Sequence, residues 1–244
     1  MLVTGGSGNL GRALRTVFPH GVFPSRNELD LLRKESVAAF IKTYKPAVML
    51  HAAAYTNVRA AEEERQLCWD TNVRGTEFLV EELLQQNLQC YFVYMSTACV
   101  FYGDRGMYAE DDIPRPKNFY GLTKLLGEYV ARRIPSHLII RTNFVAREHW
   151  PYPKAFVDRF GTYLYTDDVA HAINEVIAKQ LSGIVHISGD RKLSMLELAH
   201  MTTPEVEPMS MQDVTLPLTV DMTLTSSRLP LYRLTQTMGT SSQR

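Results

Sequence analysis

The fold is decided by the stretch LVTGGSGNLG, residues 2–11. A short apolar run, Leu2–Thr4, leads into glycines at positions 5, 8 and 11, and a helical pattern follows and ends before Pro19. Glycines at this point permit a tight turn, a close approach of the backbone to a pyrophosphate and close packing of the helix on the strand. The glycines are not in the GxGxxG spacing, although the physical demand is similar. The stretch therefore predicts a dinucleotide-binding loop at the first strand-to-helix turn.

Outward from this loop, short apolar runs alternate with helical patterns. Such alternation predicts βαβ units, which form a mostly parallel sheet covered by helices on both faces. The expected fold class is α/β, a Rossmann-type doubly wound parallel sheet with a small C-terminal substrate lobe. Ser194 and Glu197 match a capping box at the start of the last helix. We expect strands at residues 2–4, 22–23, 47–51, 89–96, 137–141 and 183–188, and helices at 10–18, 36–44, 60–87, 118–133, 167–179 and 194–201.

The chain is expected to divide near residue 142. Residues 1–142 are predicted to form the NAD(P)-binding Rossmann domain, and residues 143–244 a small substrate-binding lobe and tail, interleaved with the Rossmann sheet. From Thr202 onward Thr, Ser, Pro and Met dominate without a firm period. This composition predicts either a poorly structured tail or one that packs irregularly on the body.

The amino-acid composition excludes several classes of protein. The 244 residues carry 26 Lys and Arg against 26 Asp and Glu, so the formal net charge is zero. This balance gives no electrostatic basis for binding nucleic acid or an anionic membrane, and the apolar runs end well short of the ~20 residues of a membrane span. The N-terminus enters a strand directly, so no secretory signal is expected. The three cysteines form no CxxC pair, which leads us to expect a cytoplasmic protein with reduced thiols.

Two basic residues bear on the choice of cofactor. In dinucleotide-binding folds an acidic residue about 20 positions beyond the glycine loop accepts the ribose 2′-hydroxyl, whereas a basic residue accommodates a 2′-phosphate. Arg26 lies in this stretch, and Arg12 follows the glycines. These residues favour NADP(H), while the nearby Glu28 and Asp30 keep NAD(H) open.

Tyr120 and Lys124 form a YxxxK pair near the start of a predicted helix. The i, i+4 spacing places both side chains on one face of that helix. A tyrosine donates a proton to a developing alkoxide more readily when its pKa is lowered, which a neighbouring ammonium achieves by favouring the phenolate. Thr97, at the end of the preceding strand, could hydrogen-bond the same oxygen. The arrangement predicts reduction of a carbonyl group.

Five motifs occur in family order: the three glycines, HAAAYT at 51–56, NVRGT at 72–76, Ser96-Thr97 with Val100-Phe101, and YGLTK at 120–124. On these motifs the chain resembles the extended short-chain dehydrogenases/reductases, and within that superfamily the dTDP-4-dehydrorhamnose reductases. The likeness extends over about residues 1–200.

This resemblance implies an NADP(H)-dependent reductase of a 4-keto nucleotide sugar. Thr97, Tyr120 and Lys124 would be its catalytic residues, with Tyr120 as the general acid that protonates the C4 oxygen. Lys124 would also hold the nicotinamide ribose. The cofactor would contact Gly5, Gly8, Asn9 and Leu10 at its pyrophosphate, Asp30 and Leu31 at its adenine, and Ala52, Ala53, Ala54, Tyr55 and Asn72 along the groove. The partner would be a nucleotide sugar, and a homodimer is left open.

The chain also departs from the family pattern. Ala98 and Cys99 replace the usual Asp-Tyr after Ser-Thr, Arg59 stands where an acidic residue is common, and Asn143-Phe144 replaces Ser-Trp. The segment 144–163, which builds part of the sugar-nucleotide pocket in the family, is short. Two alternatives therefore stay open: an NAD-dependent nucleotide-sugar epimerase or dehydratase, and a non-catalytic cofactor-binding regulatory subunit resembling the methionine adenosyltransferase β subunit.

The histidines do not suggest a metal site. No two of them lie at ligand spacing beside a carboxylate, so no metal is expected. His51 ends a buried strand, and we interpret it as a packed imidazole rather than as a catalytic base.

Overall fold

The computed structural model describes residues 1–235, which form a three-layer α/β structure. The strands are β1 (Leu2–Thr4), β2 (Val48–His51), β3 (Tyr91–Met95), β4 (His137–Thr142), β5 (Phe144–Val145), β6 (Lys154–Phe156), β7 (Phe160–Gly161), β8 (Leu164–Tyr165), β9 (Gly183–Ile187), β10 (Leu193–Ser194), β11 (Glu207–Met209) and β12 (Asp221–Met222). The helices are α1 (Asn9–Val17), α2 (Lys34–Tyr44), α3 (Arg65–Trp69), α4 (Gly75–Gln85), α5 (Phe119–Ala131), α6 (Thr166–Ala178) and α7 (Met195–His200).

The central sheet is parallel and has the strand order β1-β2-β3-β4-β9. Its apolar strands are buried on both faces, as expected for a sheet covered on both sides. Helices α1 and α6 pack together on one face, and α2, α4 and α5 cover the other. The predicted α/β class with a doubly wound parallel sheet is confirmed.

The expected strand at 22–23 is reduced to a single parallel bridge between Val22 and Leu2. Pro24 follows directly and has no amide hydrogen with which to continue the ladder. The bridge nevertheless places the chain on the far side of β1 from β2. The strand order therefore reverses at β1, and in open α/β sheets ligands bind at the carboxyl end of such a switch point.

The long helix expected over 60–87 is interrupted. A 3₁₀ turn at Ala60–Glu62 precedes α3, and a π-helical turn at Asp70–Arg74 joins α3 to α4. Within the π turn, Asn72 bonds the backbone of Tyr55 through its side chain, and its carbonyl accepts from Thr76 at 2.7 Å. Because the contact of Asn72 with Tyr55 joins residues 17 positions apart, the helical periodicity alone could not reveal the interruption.

The segment after residue 142 both completes the central sheet and builds small sheets beside it. Strand β9 and helix α6 belong to the central layers, whereas β7 pairs with β10 and β12, and β6 pairs with β11. The predicted capping box of α7 is confirmed by reciprocal Ser194 and Glu197 bonds. Beyond Thr202 the chain packs irregularly on the body through β11 and β12; the expectation for residues 236–244 lies outside the described residues.

Within residues 1–235, no helix has the length and apolar character needed to cross a membrane. The division at residue 142 stays a prediction.

Candidate active site

A cleft of about 730 Å³ runs along the carboxyl edge of the central sheet. It joins the glycine loop to the ends of β2 and β3, to the first turn of α5 and to the C-terminal segments. Its wall includes most of the residues singled out from the sequence: Gly5, Gly8, Asn9, Leu10, Arg26, Asp30, Leu31, Ala52, Ala53, Ala54, Tyr55, Thr97 and Tyr120. Arg12, Asn72 and Lys124 lie outside the wall.

The glycine loop forms a cradle that side chains would fill. Gly5 has a φ of +77°, and a Cβ atom there would lie 2.7 Å from the Ala53 amide nitrogen. A Cβ on Gly11 would lie 2.7 Å from the Cα of Gly6. The N-cap of α1 is Gly8, which supplies no side-chain cap, so the first-turn amides are free to bind an anion. The loop therefore fits the pyrophosphate of a dinucleotide.

The adenosine end of the cleft contains Arg26, Asp30 and Leu31. The Arg26 side chain is 75% exposed, and its Nε lies 3.9 Å from Asp30 Oδ1. The same Asp30 oxygen accepts a hydrogen bond from the Leu32 amide at 3.0 Å. Arg26 is thus an exposed, long cationic side chain on the cleft wall, and its guanidinium suits a 2′-phosphate.

Arg12 turns away from this end of the cleft. One of its terminal nitrogens donates to Asn9 Oδ1 at 2.8 Å and to Glu148 Oε1 at 3.2 Å. The residue thus connects the glycine loop to the segment after β5.

Asn72 acts from behind the cleft wall. Its Oδ1 accepts from the Tyr55 amide at 2.7 Å, and its Nδ2 donates to the Tyr55 carbonyl at 3.1 Å and to Thr123 Oγ1 at 3.0 Å. Asn72 thereby holds the 52–55 groove segment against α5. The buried π turn that places it was not expected from the sequence.

His51 is enclosed by two threonine hydroxyls. Its Nδ1 lies 2.7 Å from Thr4 Oγ1 and its Nε2 lies 3.0 Å from Thr76 Oγ1. Burial lowers the pKa of His51 to about 3, and the charge of Lys124 acts in the same direction. The imidazole is therefore neutral at physiological pH, and its placement agrees with the interpretation of a packed side chain.

Thr97 and Tyr120 both line the cleft. Thr97 caps a 3₁₀ turn and accepts a bond from the Cys99 amide at 3.1 Å, which leaves its hydroxyl hydrogen to donate. Burial raises the pKa of Tyr120, while the neighbouring Thr97 hydroxyl acts in the opposite direction. The Tyr120 phenol is therefore protonated at neutral pH.

The start of α5, which carries Tyr120, is held by two side chains. The N-cap Asn118 accepts from the Gly121 amide at 2.8 Å, and Glu62 accepts from the Phe119 amide at 2.7 Å. Carboxylates at this end of a helix are stabilised by its dipole. The contact of Glu62 with α5 joins segments that are distant in sequence and is a feature of the tertiary structure.

Lys124 lies one turn deeper than Tyr120, behind the cleft wall. Its ammonium is 4.1 Å from the centroid of the Tyr94 ring. Burial lowers the pKa of Lys124 to about 7, and the nearby Glu128 acts in the opposite direction. The expected lowering of the Tyr120 pKa by this ammonium is not seen in the structure, where burial of Tyr120 dominates.

We expect the unfolding free energy of the cofactor-free protein to rise with pH relative to that of Lys124→Met between about pH 7 and 10. Unfolded lysine keeps its proton up to about its ordinary pKa of 10.5, whereas folded Lys124 releases it near 7. The unfolded state therefore binds more protons in this window, and stability increases with pH. Urea midpoints measured at pH 6, 7, 8 and 9 test the slope, with the exposed Lys42→Met as control. A pH-independent difference between wild type and Lys124→Met would contradict the lowered pKa.

Several residues that shape the cleft were not identified from the sequence. Arg159, Tyr163, Met195 and Met222 line its C-terminal end. Arg159 and Tyr163 lie in connecting loops, Met222 lies in the two-residue strand β12, and Met195 is the first residue of α7. None of these positions carries a local sequence signal for a cleft. Within the described residues, no group of three His, Cys, Asp or Glu side chains could hold a metal ion.

Comparison with known proteins places this geometry in a family. A family model described as the RmlD substrate binding domain matches residues 1–160. A dTDP-4-dehydrorhamnose reductase of Aggregatibacter actinomycetemcomitans is 31% identical, with 82% of this chain and 76% of that protein covered. The methionine adenosyltransferase 2 subunit beta of Xenopus tropicalis is 28% identical, with 81% of this chain and 69% of that protein covered.

Solved structures of dTDP-4-dehydrorhamnose reductases have the same fold as this chain. The Bacillus anthracis dTDP-4-dehydrorhamnose reductase in complex with NADP superposes with a TM-score of 0.86 at 24% identity, covering 96% of this chain and 94% of that one. The protein from Sulfolobus tokodaii, described as a hypothetical dTDP-4-dehydrorhamnose reductase, has a TM-score of 0.78 at 28% identity, covering 91% and 90%. The resemblance expected from the five motifs is confirmed. The chain belongs to the RmlD substrate binding domain family, the extended short-chain dehydrogenase/reductase family of the dTDP-4-dehydrorhamnose reductases.

Proposed function

We propose that the protein is an NADP(H)-dependent reductase of a 4-keto nucleotide sugar. The observation that carries this proposal is that the glycine loop, Thr97 and Tyr120 line one cleft. A dinucleotide in the loop and a carbonyl substrate beside Tyr120 would share that space. The family relation to dTDP-4-dehydrorhamnose reductases supports the same reaction class.

The residues of this chain that would hold the cofactor fit a dinucleotide with a 2′-phosphate. The first-turn amides of α1 and the Gly5 and Gly11 positions receive the pyrophosphate, and Arg26, exposed beside Asp30, lies on the wall at the adenosine end. A bound nicotinamide cofactor supplies the hydride. NADPH is therefore the expected donor, with NADH as the weaker alternative, in line with the NADP named for the related Bacillus anthracis structure.

Tyr120 and Thr97 do the acid chemistry in this proposal. The protonated phenol of Tyr120 donates its proton to the substrate carbonyl oxygen as that oxygen gains negative charge. The Thr97 hydroxyl donates a hydrogen bond to the same oxygen, which orients the carbonyl and stabilises the developing charge. The low exposure of both side chains, 7% and 8%, restricts water at the reacting oxygen and strengthens these bonds.

The test is NADPH oxidation followed optically against a panel of 4-keto nucleotide sugars, with NADH in parallel. Oxidation that depends on both the protein and the keto sugar, and that is faster with NADPH, is the expected result. Absence of oxidation with every member of the panel would overturn the proposal. Copurified NAD together with sugar interconversion and no net NADPH consumption would identify an epimerase instead.

A cofactor-binding regulatory subunit is the second candidate function. Two observations favour it: the similarity to the methionine adenosyltransferase 2 subunit beta and the position of Lys124 against Tyr94, away from the cleft wall. NADP(H) binding by titration, without reduction of any keto sugar and with copurification of a catalytic partner, would select this function.

A further inference from the structure

The guanidinium of Arg159 lies in the cleft wall without a matching acceptor for its terminal nitrogens. The residue is only 9% exposed. Its Nε donates to the Thr219 carbonyl at 2.9 Å, while Nη1 and Nη2 contact the thioether sulfurs of Met195 and Met222 at 3.3 and 3.5 Å. Thioether sulfur is a weak acceptor, and a buried charge with weak partners is costly unless a ligand completes its bonding.

No carboxylate within residues 1–235 forms an ion pair with Arg159. Asp221, which lies on the same small sheet, is already bound by Lys192 at 2.5 Å and by Thr223. Its charge is thus partly neutralised by other partners. The two Nη groups therefore remain available to a ligand that enters the cleft.

A second polar group beside Arg159 also lacks a partner. The hydroxyl of Tyr163 is buried and has no hydrogen-bond partner in the described part of the chain, and the residue lines the same cleft. Tyr163 packs in the same apolar cluster as Met222, whose sulfur contacts Arg159. Burial raises the pKa of Tyr163 to about 12, and the positive charge of Arg159 acts in the opposite direction. The phenol is thus a hydrogen-bond donor at neutral pH.

The position of Arg159 is tied to the reacting groups through Met222. The sulfur of Met222 lies 3.5 Å from Arg159 Nη2 and 3.5 Å from Cys99 Sγ, and the Cys99 amide bonds Thr97. Arg159 and Thr97 also line the same cleft, so one molecule bound there can place an anionic group at Arg159 and its carbonyl at the Thr97 hydroxyl. Arg26, by contrast, lines the adenosine end of the cleft.

We infer that Arg159 and Tyr163 form an anion subsite that binds a phosphate or carboxylate group of the substrate and sets its specificity. The two Nη groups of a guanidinium match a pair of anionic oxygens in a bidentate arrangement, and the Tyr163 hydroxyl adds a third donor. This inference rests on the proposed function, since it assigns the anionic group to the molecule whose carbonyl is reduced.

The first experiment measures binding rather than turnover. Thymidine diphosphate represents the phosphate source and glucuronate the carboxylate source, each titrated calorimetrically into the NADP(H)-loaded protein. Arg159→Gln is expected to weaken binding of the recognised anion by about 30-fold or more, because truncating one partner of a buried charge pair has effects of this size. Tyr163→Phe, which removes a hydroxyl without a partner, is expected to weaken it by about threefold to tenfold. Arg191→Gln, an arginine outside the cleft, is the matched control.

The second experiment separates KM from kcat for the best keto sugar. Arg159→Gln is expected to raise KM strongly with a smaller change in kcat, and Arg159→Lys, which keeps the charge and loses the fork, is expected to recover part of the affinity. NADPH affinity and thermal unfolding report whether each variant is folded. If Arg159→Gln does not fold, Tyr163→Phe supplies the test of the subsite. Unchanged anion binding in folded variants of both residues would overturn the subsite.

The two experiments distinguish the subsite from the proposed function. Loss of anion binding in Arg159→Gln, in a protein that reduces no keto sugar, would support the subsite and overturn the reductase. Keto-sugar reduction with an unchanged KM in Arg159→Gln would support the reductase and overturn the subsite. Binding of thymidine diphosphate alone would assign the site to phosphate, and binding of glucuronate alone would assign it to carboxylate.

Discussion

Replacing Tyr120 by phenylalanine is expected to lower kcat for ketone reduction by about 10²-fold or more. The change removes one oxygen from a buried ring and preserves its packing near Cys99 and Leu125. The phenol is protonated because burial raises its pKa, so the loss is that of a proton donor in the transition state. NADPH affinity should change little, since the proposed role of the hydroxyl is toward the substrate oxygen.

The measurement is NADPH oxidation under saturating substrate, with single-turnover rates to separate chemistry from product release. Tyr129→Phe is the matched control, because Tyr129 lies on the same helix but is 55% exposed and outside the cleft wall. A kcat in Tyr120→Phe within a factor of two or three of the wild type would exclude Tyr120 as the general acid. Reduction by Thr97→Val, which retains shape and loses the hydroxyl, should be impaired in the same direction.

Replacing Glu128 by alanine is expected to lower the free energy of unfolding by about 3–5 kcal/mol, the usual effect of removing one partner of a buried ion pair. Glu128 and Arg141 are both fully buried, with Arg141 Nε 2.9 Å from Oε1 and Nη2 2.8 Å from Oε2. Ser96 donates to the same carboxylate at 2.6 Å. Without Glu128, the guanidinium would be left in the interior beside Phe101 with no countercharge.

Urea denaturation measures this loss, and a second variant separates the pair from its surroundings. Glu128→Leu combined with Arg141→Met is expected to recover most of the stability, because removing both charges also removes their desolvation cost. Glu81→Ala is the matched control: it breaks the surface pair with Lys34 and should cost less than about 1 kcal/mol. A loss below about 1 kcal/mol in Glu128→Ala would contradict a structural role for the buried pair.

The ion pair also matters for the site. Glu128 lies one turn after Lys124 on α5, Arg141 is on β4, and Ser96 precedes Thr97 at the end of β3. The pair therefore connects β4 to the two elements next to the proposed reacting groups, the end of β3 before Thr97 and helix α5 with Tyr120. Its loss should reduce activity together with stability, whereas Tyr120→Phe should reduce activity alone.

The amino-acid sequence by itself determined the α/β class, most element positions and the two ends of the proposed site, which are the glycine loop and the Thr97–Tyr120 pair. These features depend on local chemistry. The positive φ of Gly5, the capping box at Ser194 and the period of 3.6 in α5 each depend on a few neighbouring residues.

Tertiary structure alone decided the features that depend on contacts between distant segments. Three such contacts join residues from separate elements. Asn72 in the π turn binds the Tyr55 backbone, Lys124 packs on the Tyr94 ring behind the cleft wall, and Arg159 contacts Met222. Their side chains have no local pattern, because their energy comes from burial and pairing rather than from backbone conformation. The proposed reaction was therefore readable from the sequence, while the proposed anion subsite became visible only when the chain folded around the cleft.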